Sequence, residues 1–350
     1  MQQKSVSKKA ILCGYYGRDN VGDDALLMTL IQMLPPGIEP LVLSATPQKT
    51  RKTFQVQAFP NRSAFSILEV LQQGDYFLWG GGSLMQDVTS FRSPLYYGGL
   101  MALAQQRGLP TIAWAQGVGP LRSGFSRWLT RKTLIGCEKI SVRDRASAQL
   151  LSDWGVSPLL APDPVWALES EPFPQLWELP APRIAVTLRQ HPQLTRAKIQ
   201  TLTTALISLQ KATETCILLV PFQPQDHSLA QAISDQLPEP KAIISGESPS
   251  RFKRLFRGVE MAIGMRYHSL IMAAAEECRC FAISYDPKIT QLMTELEIPG
   301  WDVTSIPDDP NVITKTWLDH YANGEGLTPD QIQSQRDRAL IHKDLLQFMV

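Results

Sequence analysis

Short apolar runs alternate with stretches of helical periodicity along nearly the whole chain, the order that builds parallel sheets covered by helices. In the first half the pattern predicts strands over Ala10–Cys13, Pro40–Ser44, Tyr76–Trp79, Thr111–Ala115, Lys139–Val142 and Pro158–Ala161. It predicts helices over Asp23–Leu34, Ser63–Gln73, Pro94–Gln106, Ser123–Ile135 and Arg145–Trp154. The first helix shows the logic. Leu26, Leu27, Leu30, Ile31 and Leu34 recur at helical spacing behind Asn20 and the pair Asp23 and Asp24, residues that suit a helix start. The segment Glu171–Pro182 is too proline-dense for regular structure, because proline removes backbone donors and restricts its neighbours. It reads as an interdomain linker.

The alternation then resumes with strands Ile184–Leu188, Ile217–Val220, Ala242–Ser245, Val259–Ile263 and Phe281–Ser284. The accompanying helices are Thr195–Lys211, Gln225–Gln236, Pro249–Arg257, His268–Glu277 and Lys288–Leu296. The prediction is an α/β protein of two doubly wound, Rossmann-like domains, residues 1–170 and 183–305, facing one another across a cleft and joined by the 171–182 linker. Residues 306–350 read as C-terminal helices. The last, Pro329–Phe348, is long enough, and polar enough on one face, to cross back over the first domain.

Length supports the division, since 350 residues exceed the ~250–300 at which a single core stops growing. Charge acts by exclusion: 34 Lys and Arg against 33 Asp and Glu give a net +1 with no block of five like charges. Neither nucleic acid nor a polybasic membrane patch is indicated. No window approaches the ~18 apolar residues that cross a bilayer. The N-terminus, Met1 to Lys9, lacks the apolar core and cleavage site of a signal peptide, so a soluble, cytoplasmic protein is expected. Cys13, Cys137, Cys216, Cys278 and Cys280 read as buried free thiols. Cys278-Arg279-Cys280 has the wrong spacing for a redox or zinc pair, and no metal is assigned.

Candidate chemistry sits at strand ends, where open parallel sheets bind ligands and helix N-termini offer unpaired amides to anions. The strand Val259–Ile263 runs through Gly264 and Met265 into Arg266 and His268 at a helix start. Together they provide a planar fork for an oxyanion and a group that exchanges a proton near neutrality. Arg189 and the Tyr285-Asp286-Pro287-Lys288 segment lie at two further strand ends of the same domain. Arg189, Arg266 and Lys288 suit a small, highly charged anion, although surface placement is the plainer reading of Arg189. In the first domain Gly14–Asp24 is a glycine-punctuated loop without the Gly-x-Gly-x-x-Gly fingerprint of dinucleotide binding. Asp23 and Asp24 suit plain helix capping or the holding of hydroxyls and a base. Gly80, Gly81 and Gly82 permit close approach of a ligand or a tight crossover. Gly117 and Gly119 punctuate the next strand end, and Arg143 the one after.

Taken together, Gly-Tyr-Tyr-Gly…Asn-x-Gly-Asp, Gly-Gly-Gly-x-Leu-x-Gln-Asp, Gln-Gly-Val-Gly-Pro, Ser-Val-Arg-Asp, Met-Arg-x-His-Ser-Leu and Tyr-Asp-Pro-Lys resemble, in order from Ile11 to about Leu296, the polysaccharide pyruvyl transferase family of the cell-wall-polymer type. The resemblance implies a two-domain GT-B-like fold with an acceptor-side N-terminal and a donor-side C-terminal domain. Phosphoenolpyruvate is the implied donor, without a cofactor. The implied acceptor is a sugar of a surface-polysaccharide precursor, a lipid-linked or polymeric glycan, and the product is a pyruvate ketal. Arg266, Lys288 and Arg143 would bind the donor anion, His268 would be the general acid, and Asp23 or Asp24 would accept the hydroxyl proton. Tyr267 and Asp24 depart from the family, which more often has Leu and Glu there. The loops 47–61 and 88–94 would choose the acceptor. Two other readings remain: a nucleotide-sugar glycosyltransferase, with Asp286 or Glu276 holding the ribose, and a non-catalytic glycan-binding protein.

Overall fold

A computed structural model describes residues 7–88 and 90–349. Residues 1–6, on which part of the signal-peptide reading falls, Thr89 within the 88–94 loop, and Val350 lie outside the described residues. The chain divides into two compact units, one of Met1–Leu168 with Gln335–Val350 and one of Glu169–Ser334.

The first unit contains β1 (Lys8–Cys13), α1 (Val21–Met33), β2 (Ile38–Ser44), α2 (Pro47–Phe54), β3 (Gln57–Pro60), α3 (Ala64–Gln73) and β4 (Tyr76–Trp79). It continues with β5 (Gly82–Met85), α4 (Arg92–Gln106), β6 (Thr111–Val118), α5 (Gly124–Ile135), β7 (Lys139–Val142), α6 (Arg145–Ser152) and β8 (Leu159–Leu160). Its sheet is parallel in the order β3-β2-β1-β4-β6-β7-β8, with β5 also paired to β6. Strands β1, β4 and β6 are buried along nearly their whole length, which is why they read as unbroken apolar runs.

The second unit contains β9 (Arg183–Thr187), α7 (Arg196–Thr213), β10 (Cys216–Leu219), α8 (His227–Ser234), β11 (Lys241–Ile243), α9 (Pro249–Leu255) and β12 (Met261–Gly264). It continues with α10 (Tyr267–Ala275), β13 (Arg279–Ser284), α11 (Pro287–Leu296), β14 (Gly300–Asp302) and α12 (Pro310–Asn323). Its sheet is wholly parallel in the order β11-β10-β9-β12-β13-β14. The final helix, α13 (Pro329–Asp344), begins among residues of the second unit and ends among those of the first.

In each sheet the strand order reverses once, between β1 and β4 and between β9 and β12. Such reversals place the loops after the two central strands on opposite faces and open a crevice at their carboxyl ends. The loops Gly14–Asn20 and Gly80–Gly81 flank the first reversal, and Leu188–Arg189 and Met265–Arg266 the second.

Several elements differ from the expectation. Helix α2 carries only one buried residue, Thr50, so it shows no apolar stripe. Edge strand β14 has three residues, and its Gly300 lies so close to β13 that a Cβ would meet the Ala282 carbonyl oxygen. The proline-dense segment is not a free linker in structure: Pro174–Glu178 form a 3-10 turn with proline at its start, where no donor is lost. Phe173 and Leu176 are buried, and Arg183 donates to Leu179 O at 2.5 Å, so this stretch is anchored to the second unit.

Candidate active site

In the second unit, Gly264 ends β12 and two residues later the chain enters α10. A Cβ on Gly264 would meet the Leu270 side chain at 2.7 Å, so glycine allows this sharp turn. Arg266 is the N-cap with extended backbone, and His268 lies half-buried in the first turn with the Tyr267 ring edge-on at 5.3 Å. Ser269 Oγ donates to Arg266 O at 2.7 Å and shares a hydroxyl pair with Thr187 at 2.7 Å, which ties this turn to the end of β9.

Arg266 is itself held. Its Nε donates to Asp226 Oδ2 at 3.0 Å, its Nη2 to Asp226 Oδ1, and Nη2 also reaches Gln223 Oε1 at 3.1 Å. Asp226 is buried and accepts a further bond from the Gln223 amide at 3.1 Å. This bidentate fork fixes the guanidinium plane and matches its charge. At neighbouring strand ends, Arg189 lies over the Tyr285 ring at 4.5 Å and donates to its hydroxyl at 2.7 Å. Lys288 lies 3.8 Å from Asp286, whose carboxylate caps α11 by accepting the Lys288 amide at 3.1 Å. Glu276 pairs with Arg254 at 3.8 Å. The cations expected to meet an anion are thus assembled at one sheet edge, but Arg266 and Lys288 each have a carboxylate at hand.

In the first unit, Asn20 caps α1 by accepting the Gly22 amide at 3.1 Å and donates to Asp23. Burial and the neighbouring Asp23 carboxylate push Asp24 up to about 7. The glycines expected near a ligand have internal partners. A Cβ on Gly80 would overlap the Tyr16 hydroxyl, one on Gly81 would meet Leu26 at 2.8 Å, and Gly82 has φ of +127° beside Asp23. A Cβ on Gly117 would lie 3.0 Å from Ser83 Oγ and 3.3 Å from Arg143 Nε, while Gly119 has φ of +91°. Arg143 is buried and donates to Asp163 at 2.6 Å and to Ser83 Oγ at 3.2 Å, so it stitches the ends of β7, β8 and β5 together. Gln116, displaced by an irregularity in β6, donates to the Gly80 and Trp114 carbonyls. The buried Tyr16 Oη and Gln116 Oε1 make no hydrogen bond among the described residues.

The sequence profile of the polysaccharide pyruvyl transferase family matches residues 20–287, which include Asp23, Asp24, the glycine loops, Arg143, Arg266 and His268. The chain belongs to this family. No curated protein sequence matches it. Among solved structures, it is similar to the UDP-GlcNAc 2-epimerase from Methanocaldococcus jannaschii (TM-score 0.69, 10% identity, covering 97% of this chain and 99% of that one). It is also similar to the UDP-GlcNAc 2-epimerase from Neisseria meningitidis bound to UDP-GlcNAc (TM-score 0.64, 11% identity, 97% and 100% covered). A glycosyltransferase from Rickettsia africae matches at TM-score 0.55 and 13% identity, covering 98% of this chain and 96% of that one. These similarities establish the GT-B fold for this pyruvyl transferase family member.

The sequence places Asp226, with Arg266, at this sheet edge but gives no sign that the two pair, and sequence reasoning missed Gln223 and Asp163. Asp226 and Gln223 hold Arg266, and Asp163 holds Arg143. Their local signals were Gln-Pro-Gln-Asp and Pro-Asp-Pro, helix-start patterns that say nothing of a distant arginine. Among the described residues no group of three His, Cys, Asp or Glu side chains is placed to hold a metal ion, and no helix is long and apolar enough to cross a membrane.

Proposed function

We propose that this family member transfers the pyruvyl group of phosphoenolpyruvate to two hydroxyls of a sugar in a surface-polysaccharide precursor. The observation that carries this reading is the β12–α10 turn, where a fixed guanidinium and an imidazole share the opening of a helix inside the family match. The donor carries a carboxylate and a phosphate, and we assign it to the Nη1 edge of Arg266, the edge that Asp226 does not take, backed by helix amides, with Lys288 and Arg189 at adjoining strand ends. His268 protonates C3 of the enol, and a sugar hydroxyl adds to C2 as its proton passes to a base. A second hydroxyl then displaces the phosphate from C2, and its proton leaves with inorganic phosphate. Asp24, poised to about 7, exchanges a proton at neutral pH with little driving-force penalty and is the base we assign, with Asp23 alongside. The first unit takes the acceptor and the second the donor.

A second reading, transfer from a nucleotide sugar, draws on the GT-B fold common to the UDP-GlcNAc 2-epimerases and the glycosyltransferase above. One experiment separates the two: thermal unfolding with millimolar phosphoenolpyruvate, and separately with UDP or GDP, since a ligand specific to the folded state raises the midpoint. We expect a rise with phosphoenolpyruvate alone, kept in His268→Ala while turnover is lost. A rise with a nucleotide alone overturns the pyruvyl reading in favour of the second.

A further inference from the structure

Residues 88–137 contain six Lys or Arg and no Asp or Glu, in a chain whose net charge is +1. Scanned as blocks of like charge the segment is unremarkable, but the fold gathers it into two helices packed side by side, α4 and α5, where Leu129 presses on Gly98. Along α5 the outward positions are Phe125, Trp128, Lys132 and Ile135, spaced as one helical face. The Phe125, Trp128 and Ile135 side chains are 51%, 53% and 55% exposed. The Phe125 and Trp128 rings pair at 5.6 Å, and Lys132 sits over the Trp128 ring at 5.2 Å. Arg122, Arg127 and Arg131 flank this stripe and are exposed. At the start of α4, Phe91, just before the helix, and Leu95 in its first turns are exposed next to Arg92. The carboxylate just before this segment, Asp87, accepts the amides of Arg122 and Ser123 at 2.7 and 2.8 Å and clips the entry of α5 to the loop before α4, and the next acid along the chain, Glu138, lies beyond the end of α5.

We propose that the α4–α5 face docks on the surface of an anionic phospholipid bilayer. Large apolar side chains left in water at helical spacing cost free energy unless something covers them, and the exposed cations that flank them, four of them within residues 122–132, which hold no acid, select a negatively charged cover. Trp and Phe seat at the boundary between headgroups and acyl chains, while Arg and Lys meet lipid phosphates. The proposal stands on this surface alone and does not rest on the pyruvyl transfer reading.

The test is flotation of the full chain with phosphatidylcholine vesicles, with and without phosphatidylglycerol, in low and high salt and with no sugar or phosphoenolpyruvate present. We expect flotation with the anionic vesicles alone, reversed by salt. Arg127→Glu/Lys132→Glu should weaken it at least tenfold, given about fivefold per cation. Phe125→Ser/Trp128→Ser should weaken it comparably, and both variants should keep the wild-type unfolding midpoint because these side chains are exposed. Absence of flotation with anionic vesicles overturns the proposal, as does undiminished flotation of both variants. Self-association that Phe125→Ser/Trp128→Ser abolishes, without any vesicle binding, overturns it in favour of an interface between copies.

Discussion

Arg266 and Asp226 lie 40 positions apart in the chain and form a buried, bidentate pair. Read along the sequence, Arg266 is one of three loose cations. In the fold it is an oriented and charge-matched fork, and the same holds for Arg143 on Asp163. The distinction matters because removing one partner of a buried pair costs about 3–5 kcal/mol, leaving the other charge unmatched. Asp226→Asn is therefore expected to lower the unfolding midpoint, and millimolar phosphoenolpyruvate should recover more of the loss than it adds to the wild type, because an anion then supplies the missing charge. Calorimetry with and without the donor checks this, and an unchanged midpoint in the variant would refute a structural role for the pair. No spacing rule in the sequence connects the two residues, since their proximity arises only when β10 and β12 take places on either side of β9.

At the scale of elements, α13 shows how a polar helix becomes structural. Its sequence carries few apolar residues, yet His342 is fully buried in the first unit, with Nε2 donating to Pro162 O at 2.9 Å and Nδ1 accepting from Ser141 Oγ at 2.9 Å. Trp114 Nε1 donates to the His342 carbonyl at 3.1 Å, and the Ala115 amide donates to the same Ser141 hydroxyl at 2.8 Å. Burial pushes the imidazole down to about 4, against the pull of the Pro162 carbonyl. The folded-state value lies below the unfolded ~6.5, so the neutral ring's contribution is present above pH 6.5 and lost as pH falls towards 4. Wild-type stability should drop by roughly 3 kcal/mol more than that of His342→Gln between pH 6.5 and 4, read from denaturant midpoints. Parallel profiles would show that another group governs the acid limb. Helix α2 and strand β3 tell the complementary story: α2 is polar and β3 has four residues, so neither carries the set of buried apolar side chains that made α1 and α3 readable.

For the whole molecule, each sheet reverses its strand order once; Asp23, Asp24, Gly80, Arg189, Arg266 and His268 follow the strands beside those reversals, while Lys288 follows β13, one strand further out, and Arg143 follows β7, two strands further out. The first unit is completed by the far end of the chain, where Ala339, His342, Leu346 and Met349 are buried and the Met349 carbonyl accepts from Tyr76 at 3.0 Å and Lys8 at 3.1 Å. Deleting Gln335–Val350 should expose the ends of β1, β4 and β6 in the first unit. Limited proteolysis is expected to degrade 1–168 rapidly in the shortened chain while 169–334 persists, and equal resistance of both would show the C-terminal segment to be dispensable.

The sequence by itself determined the alternation of strands and helices, the α/β class and the motifs at strand ends, because burial on both faces of a parallel sheet leaves continuous apolar runs and turn chemistry leaves glycine, proline and capping residues. It could not decide what those motifs do within the fold. Gly80 yields space to Tyr16 and Gly117 to Ser83 and Arg143, while Asp87 clips two loops together, all contacts between residues distant in the chain. The tertiary structure also decided which charges are matched, where the chain's end docks, and that scattered cations share one apolar face, since strand order and helix packing, not local propensity, bring these groups within reach.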